Sequence, residues 1–113
     1  MSKWTIGLVA FVAIAAIMGQ PSEEEKAENK KYGFHCMSQW DGSHPGLVHI
    51  VKKNLRDPDS FQHIETRSSP VENGKNKIRM EYRARNGFGG MNVSYAYGVI
   101  NNENCKLVEW RFS

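Results

Sequence analysis

The 113-residue sequence predicts an α+β domain: one or two helices packed on a four-stranded antiparallel meander, behind an N-terminal apolar helix. Three observations predict it. Residues 77–85 alternate without a break, with Ile78, Met80, Tyr82 and Ala84 on one side and Lys77, Arg79, Glu81, Arg83 and Arg85 on the other. That period of two marks a strand with one buried face. Residues 45–55 carry an apolar stripe at helical spacing, and clusters of turn residues separate the later apolar stretches at short intervals.

The first element is Trp4 to Met18, a run without charge preceded by Lys3 and followed by Gly19-Gln20-Pro21. As a helix its fifteen residues span roughly 22 Å, less than the roughly 30 Å of a bilayer core. Three readings fit: a cleaved signal peptide, a short uncleaved membrane anchor, or a core helix. The first two place the rest of the chain outside the cytoplasm. The predicted layout is then a signal or anchor over 1–20, a charged spacer over 21–31 and an extracytoplasmic domain over 32–113. That domain is either secreted or held in the periplasm at the inner membrane through residues 4–18.

Ser22 followed by Glu25 reads as a capping box, with acids early and Lys30 and Lys31 late, as a helix dipole favours. The segment is a helical stalk or a disordered tether. Tyr32, Cys36 and Trp40 then recur every four residues, with Phe34 and Met37 nearby, which predicts a helical continuation packed on the core. In the next helix Ser43 or His44 caps, Pro45 opens, and Leu47, Val48, Ile50, Val51 and Leu55 form the stripe. Asp57-Pro58 stops it, because a residue before proline avoids the α region.

Phe61 to Ser68 is the first strand, with poor alternation, and Asn73-Gly74 signals a hairpin in the loop over 69–76. The alternating strand follows and ends in the structural turn Asn86-Gly87-Phe88-Gly89-Gly90, where Phe88 is expected to plug the edge of the core. Met91, Val93, Tyr95, Tyr97 and Val99 share a face of the third strand. Asn101 to Asn104 turns the chain, and Cys105 to Phe112 is the last strand, with Val108, Trp110 and Phe112 on one side.

Two cysteines in a small exported domain pair more often than not, so Cys36 and Cys105 read as a disulfide, with two buried thiols as the alternative. His44 and His49 are five apart, unlike a helical metal pair, although Asp41 and His44 can meet near the helix start. No GxSxG, HExxH or phosphate-loop pattern is present, and no cofactor motif, so the expectation is a protein that is not an enzyme. The net charge of +3 gathers partly on Lys77, Arg79, Arg83 and Arg85. Such a face binds polyanions, either anionic lipid or nucleic acid, or is a solvated strand face, to which Lys106 and Arg111 add charge if the register agrees. Nucleic acid is the weaker expectation, because the aromatic RNA-binding pattern is missing.

Two segments, Val51 to Phe61 with its Leu55-Arg56-Asp57-Pro58-Asp59-Ser60 core and Tyr82 to Gly90 with its Ala84-Arg85-Asn86-Gly87-Phe88-Gly89 core, carry a resemblance. Together they resemble a group of small bacterial and phage-borne domains, over roughly residues 47–108. In that group a helix ends in a DP-x-S turn, a strand runs into an A-x-N-x-F-G turn, and a later strand ends near a cysteine. The resemblance implies an exported or membrane-tethered module with no catalytic residues. Its prophage context implies a partner in the cell envelope or on a phage, as in superinfection exclusion. A homodimer through a sheet edge or the N-terminal helices is a further expectation.

Overall fold

The computed structural model describes residues 22–113, so the expected signal or anchor over 1–20 lies outside the described residues. The order is α1 (Glu23–Tyr32), α2 (Pro45–Lys53), β1 (Gln62–Ser68), β2 (Lys75–Arg85), β3 (Met91–Asn101) and β4 (Leu107–Phe112). The four strands pair antiparallel in sequence order, as a meander.

The capping box forms in part, with the Glu25 amide donating to Ser22 Oγ at 3.1 Å. The charged segment is therefore a helix, and none of its residues is buried. Its end is nevertheless fixed to the domain. Asn102 Nδ2 donates to the Lys30 carbonyl at 2.6 Å, and Asn76 Nδ2 donates to the Lys31 carbonyl at 3.0 Å. Helix ends leave carbonyls unpaired, and these two asparagines satisfy them. Both are buried, and they are joined to each other by an Asn102 Nδ2 to Asn76 Oδ1 bond of 2.8 Å.

The expected helical continuation through Trp40 does not form. Gly33 takes φ of 69° and caps α1, its amide donating back to Asn29 and Lys30. Glycine suits this left-handed cap, and a Cβ here would lie 2.8 Å from Asn76 Oδ1. A single 3-10 turn, Phe34–Cys36, follows and buries Cys36, while Trp40 is 97% exposed.

Helix α2 lies on one face of the sheet. Leu47 and Val51 are buried with Ile78, Met80, Tyr82, Ala84, Ala96 and Ile100, which is the alternating set of β2 with two β3 residues. Complete burial of a Leu or Met side chain contributes about 1.5–3 kcal/mol each. The disulfide Cys36–Cys105 closes a sequence separation of 69 at the edge of this core.

The strand limits shift slightly from expectation. Asn73 and Gly74 both take positive φ, and Glu72 and Lys75 exchange two backbone bonds, so β2 starts at Lys75. That is the primed two-residue hairpin the dipeptide favours. The poor alternation of β1 comes from a bulge between His63 and Glu65. In β4 another irregularity pairs Leu107 with Ile100 and Glu109 with Val99, so Leu107, not Val108, packs on the core.

Candidate functional site

Among the described residues, the helices leave the other face of the sheet open. Residues directly opposite in antiparallel strands share a face. One row across all four strands reads Arg67, Arg79, Tyr97, Arg111. The row on one side holds Glu65, Glu81 and Tyr95, and the row on the other holds Lys77, Val99 and Glu109. Arg83 pairs with Val93, and Arg85 with Met91, toward the β2–β3 turn. The four basic residues expected to share a face do so. Of the two later cations, Arg111 joins them, Lys106 lies in the turn before β4, and the register adds Arg67.

The apolar set of β3 also lies here. Met91, Val93, Tyr95, Tyr97 and Val99 share a face as expected, but it is the uncovered one; the covered side carries Ala96, Gly98 and Ile100. The Arg79 guanidinium sits 5.4 Å from the Tyr95 ring centroid, and that of Arg111 sits 4.2 Å from Tyr97. Cation–π stacking of this type holds each arginine flat while leaving its edge N–H groups free. A shallow groove of about 630 Å³ adjoins the Tyr97–Arg111 pair and is lined further by Lys77, Val99 and Glu109 together with Ile78, Gly98 and Trp110.

Not all the cations are free. Arg67 is paired with Glu65, and Arg85 Nε is 3.3 Å from Asp57 Oδ2. The second pair joins the two segments that carry the resemblance. Ser60 Oγ accepts from the Arg85 amide at 2.8 Å and donates to the Asp57 carbonyl at 2.7 Å. A Cβ at Gly87 would lie 3.0 Å from Arg56 Nη1. Asp57-Pro58-Asp59-Ser60 and the start of the glycine-rich turn are thus one packed corner, and the residue types at both are explained by it. The turn itself is closed by Asn86, whose Oδ1 accepts from the Phe88 and Gly90 amides at 2.8 and 3.1 Å. Phe88 does not plug the core. It is 98% exposed.

The other chemical candidates are occupied by structure. His44 Nδ1 accepts from the Leu47 amide at 3.2 Å as the cap of α2, and Nε2 lies 2.8 Å from the Cys105 carbonyl. Both ring nitrogens are thereby used by backbone. Asp41 does not reach His44. Its Oδ1 accepts from the Ser43 hydroxyl at 2.7 Å and the Ser43 amide at 2.9 Å, and its Oδ2 is 3.9 Å from His63. The Ser43 hydroxyl, then the Ser43 amide, hold the Asp41 carboxyl below its ordinary value. Among the described residues, His35, Cys36 and Cys105 form the one grouping tight enough for a metal, and both of its sulfurs are consumed by the disulfide.

Comparison of the chain with protein-family models, with curated proteins and with solved structures found no match. Among the described residues no helix is long and apolar enough to cross a membrane. The closed disulfide is the feature that bears on location, and it fits an oxidising, extracytoplasmic compartment.

Proposed function

We propose that the chain is a non-enzymatic extracytoplasmic module that binds another protein of the cell envelope through the open face of its sheet. The observation that carries this reading is the row Arg67, Arg79, Tyr97, Arg111 with its stacked pairs. Tyrosine and arginine dominate the centres of protein interfaces, because each offers a large apolar surface with directional donors. Stacking in the free protein also reduces the side-chain freedom lost on binding. Residues 1–20 serve this reading as an anchor or as an export signal. The resemblance adds a specific version, a prophage-encoded block on incoming phage, whose partner is an envelope or phage protein.

A second reading, polyanion binding by the basic strand over 77–85, gains from Arg67 and Arg111 joining the face. Glu65, Glu81 and Glu109 on the same face weaken it, as does the pairing of Arg67 and Arg85 with carboxylates.

The test is photo-cross-linking in cells expressing the full chain, with the reactive residue placed at Val93 on the open face or at Lys53 on α2. The proposal expects one discrete adduct from position 93, weakened by Arg79→Glu with Arg111→Glu, and none from position 53. The same adduct from both positions, or none from 93, overturns it. Salt-sensitive binding to anionic vesicles that Arg83→Glu with Arg85→Glu abolishes would favour the second reading instead.

A further inference from the structure

Strands β1 and β4 are the two edges of the sheet, and they are finished differently. β1 is polar along most of its length and broken by its bulge. β4 reads Val108-Glu109-Trp110-Arg111-Phe112, and its three apolar residues are 43%, 50% and 40% exposed. An apolar strand left at a sheet edge is a template for another strand.

The chemistry of these five residues is symmetric about Trp110: apolar, acidic, Trp, basic, apolar. The amide directions agree with that symmetry. Ser113 donates its amide to the Tyr95 carbonyl. Alternation along an antiparallel ladder then turns the Arg111 and Glu109 amides toward β3, and those of Trp110 and Phe112 outward. From these facts we infer that β4 pairs with β4 of a second copy of this chain, antiparallel, with the two-fold axis at Trp110. The two sheets become one sheet of eight strands.

In that register Trp110 faces Trp110 of the second copy and exchanges backbone bonds with it. Val108 faces Phe112, and each Glu109 faces an Arg111. The Glu109–Arg111 positions are the non-hydrogen-bonded pairs, where side chains come closest. Shifting the register by two residues in either direction places Glu109 on Glu109 or Arg111 on Arg111. Shifting it by one pairs an outward amide with an inward one. Charge and amide direction therefore select a single register. Among the described residues Glu109 is in no ion pair within the chain, which leaves its carboxylate for the second copy. This pairing shares Arg111 with the row proposed to bind the partner, and Glu109→Arg, which leaves that row unchanged, tests the pairing apart from it.

The test is sedimentation equilibrium of the full chain, as wild type, Glu109→Arg, Arg111→Glu and the double swap. The inference expects a wild-type dimer that each single swap weakens by about tenfold or more, since like charges then oppose each other at two symmetric places. The double swap restores opposite charges and with them the dimer. A monomeric wild type, a dimer indifferent to the single swaps, or no recovery in a folded double swap would overturn it. Hydrogen exchange on the wild type needs no variant. The Trp110 amide is expected to gain protection as concentration rises, and exchange at an unprotected rate in a dimeric sample contradicts the inference.

Discussion

The Arg111 guanidinium lies 4.2 Å from the centre of the Tyr97 ring, directly across the β3–β4 ladder. The pair joins an edge strand to the middle of the open face and fixes the arginine with its donors outward. A double-mutant cycle of Arg111→Ala and Tyr97→Ala, followed by urea unfolding, is expected to show a coupling of about 0.5–1 kcal/mol. A coupling of zero would mean that the stack does not persist in solution.

Asn102 ties three segments together, through the Lys30 carbonyl, the Asn76 side chain and the His35 ring. Asn102→Ala leaves the buried Asn76 Oδ1 without a donor and takes one of two donors from the Lys30 carbonyl, which costs about 1–3 kcal/mol. Urea unfolding is expected to show a loss of that order. Hydrogen exchange is expected to show the last turn of α1 opening before the sheet does.

Asp41 makes stability depend on acid. Its folded pKa lies below the ordinary value of 3.8, chiefly because of the Ser43 hydroxyl. A depressed carboxyl pKa means that the unfolded chain binds the proton first. The contribution is therefore complete above the unfolded value and is lost as pH falls through the folded one. Thermal unfolding between about pH 5 and pH 2 is expected to fall less steeply in Asp41→Asn than in the wild type.

Phe88 contributes no burial, so Phe88→Ser is expected to change stability by less than about 0.5 kcal/mol in urea unfolding. Met80→Ala, at a side chain with no exposure, is expected to cost about 2–5 kcal/mol. A large loss from Phe88→Ser would return Phe88 to the core.

The meander was legible because its signals are local. The alternation at Ile78, Met80, Tyr82 and Ala84 and the Asn73-Gly74 turn each act over a few residues, and each formed; the stop expected at Asp57-Pro58 did not set the helix end, because α2 already ends at Lys53 with Asn54 as its cap. What failed depends on distant contacts. The four-residue spacing of Tyr32, Cys36 and Trp40 looked helical, but Gly33 had to accommodate Asn76, more than forty residues away. Phe88 looked like a core plug, but no part of the turn sequence shows where the covering helix ends. Alternation in β3 gave two faces without telling which one α2 covers. The stacked pairs of the open face needed register, which brought Arg67 and Arg111 beside residues far away in the chain.

The proposed module has Cys36 and Cys105 joined and works outside the reducing cytoplasm. By the loop-entropy relation the bond contributes about 4 kcal/mol for a separation of 69. The most direct measurement is the intact mass of the chain recovered from cells and alkylated at once, with and without prior reduction. No adduct is expected without reduction, and two adducts after it. Two adducts without reduction would contradict the proposal, because the domain would then be working with free thiols.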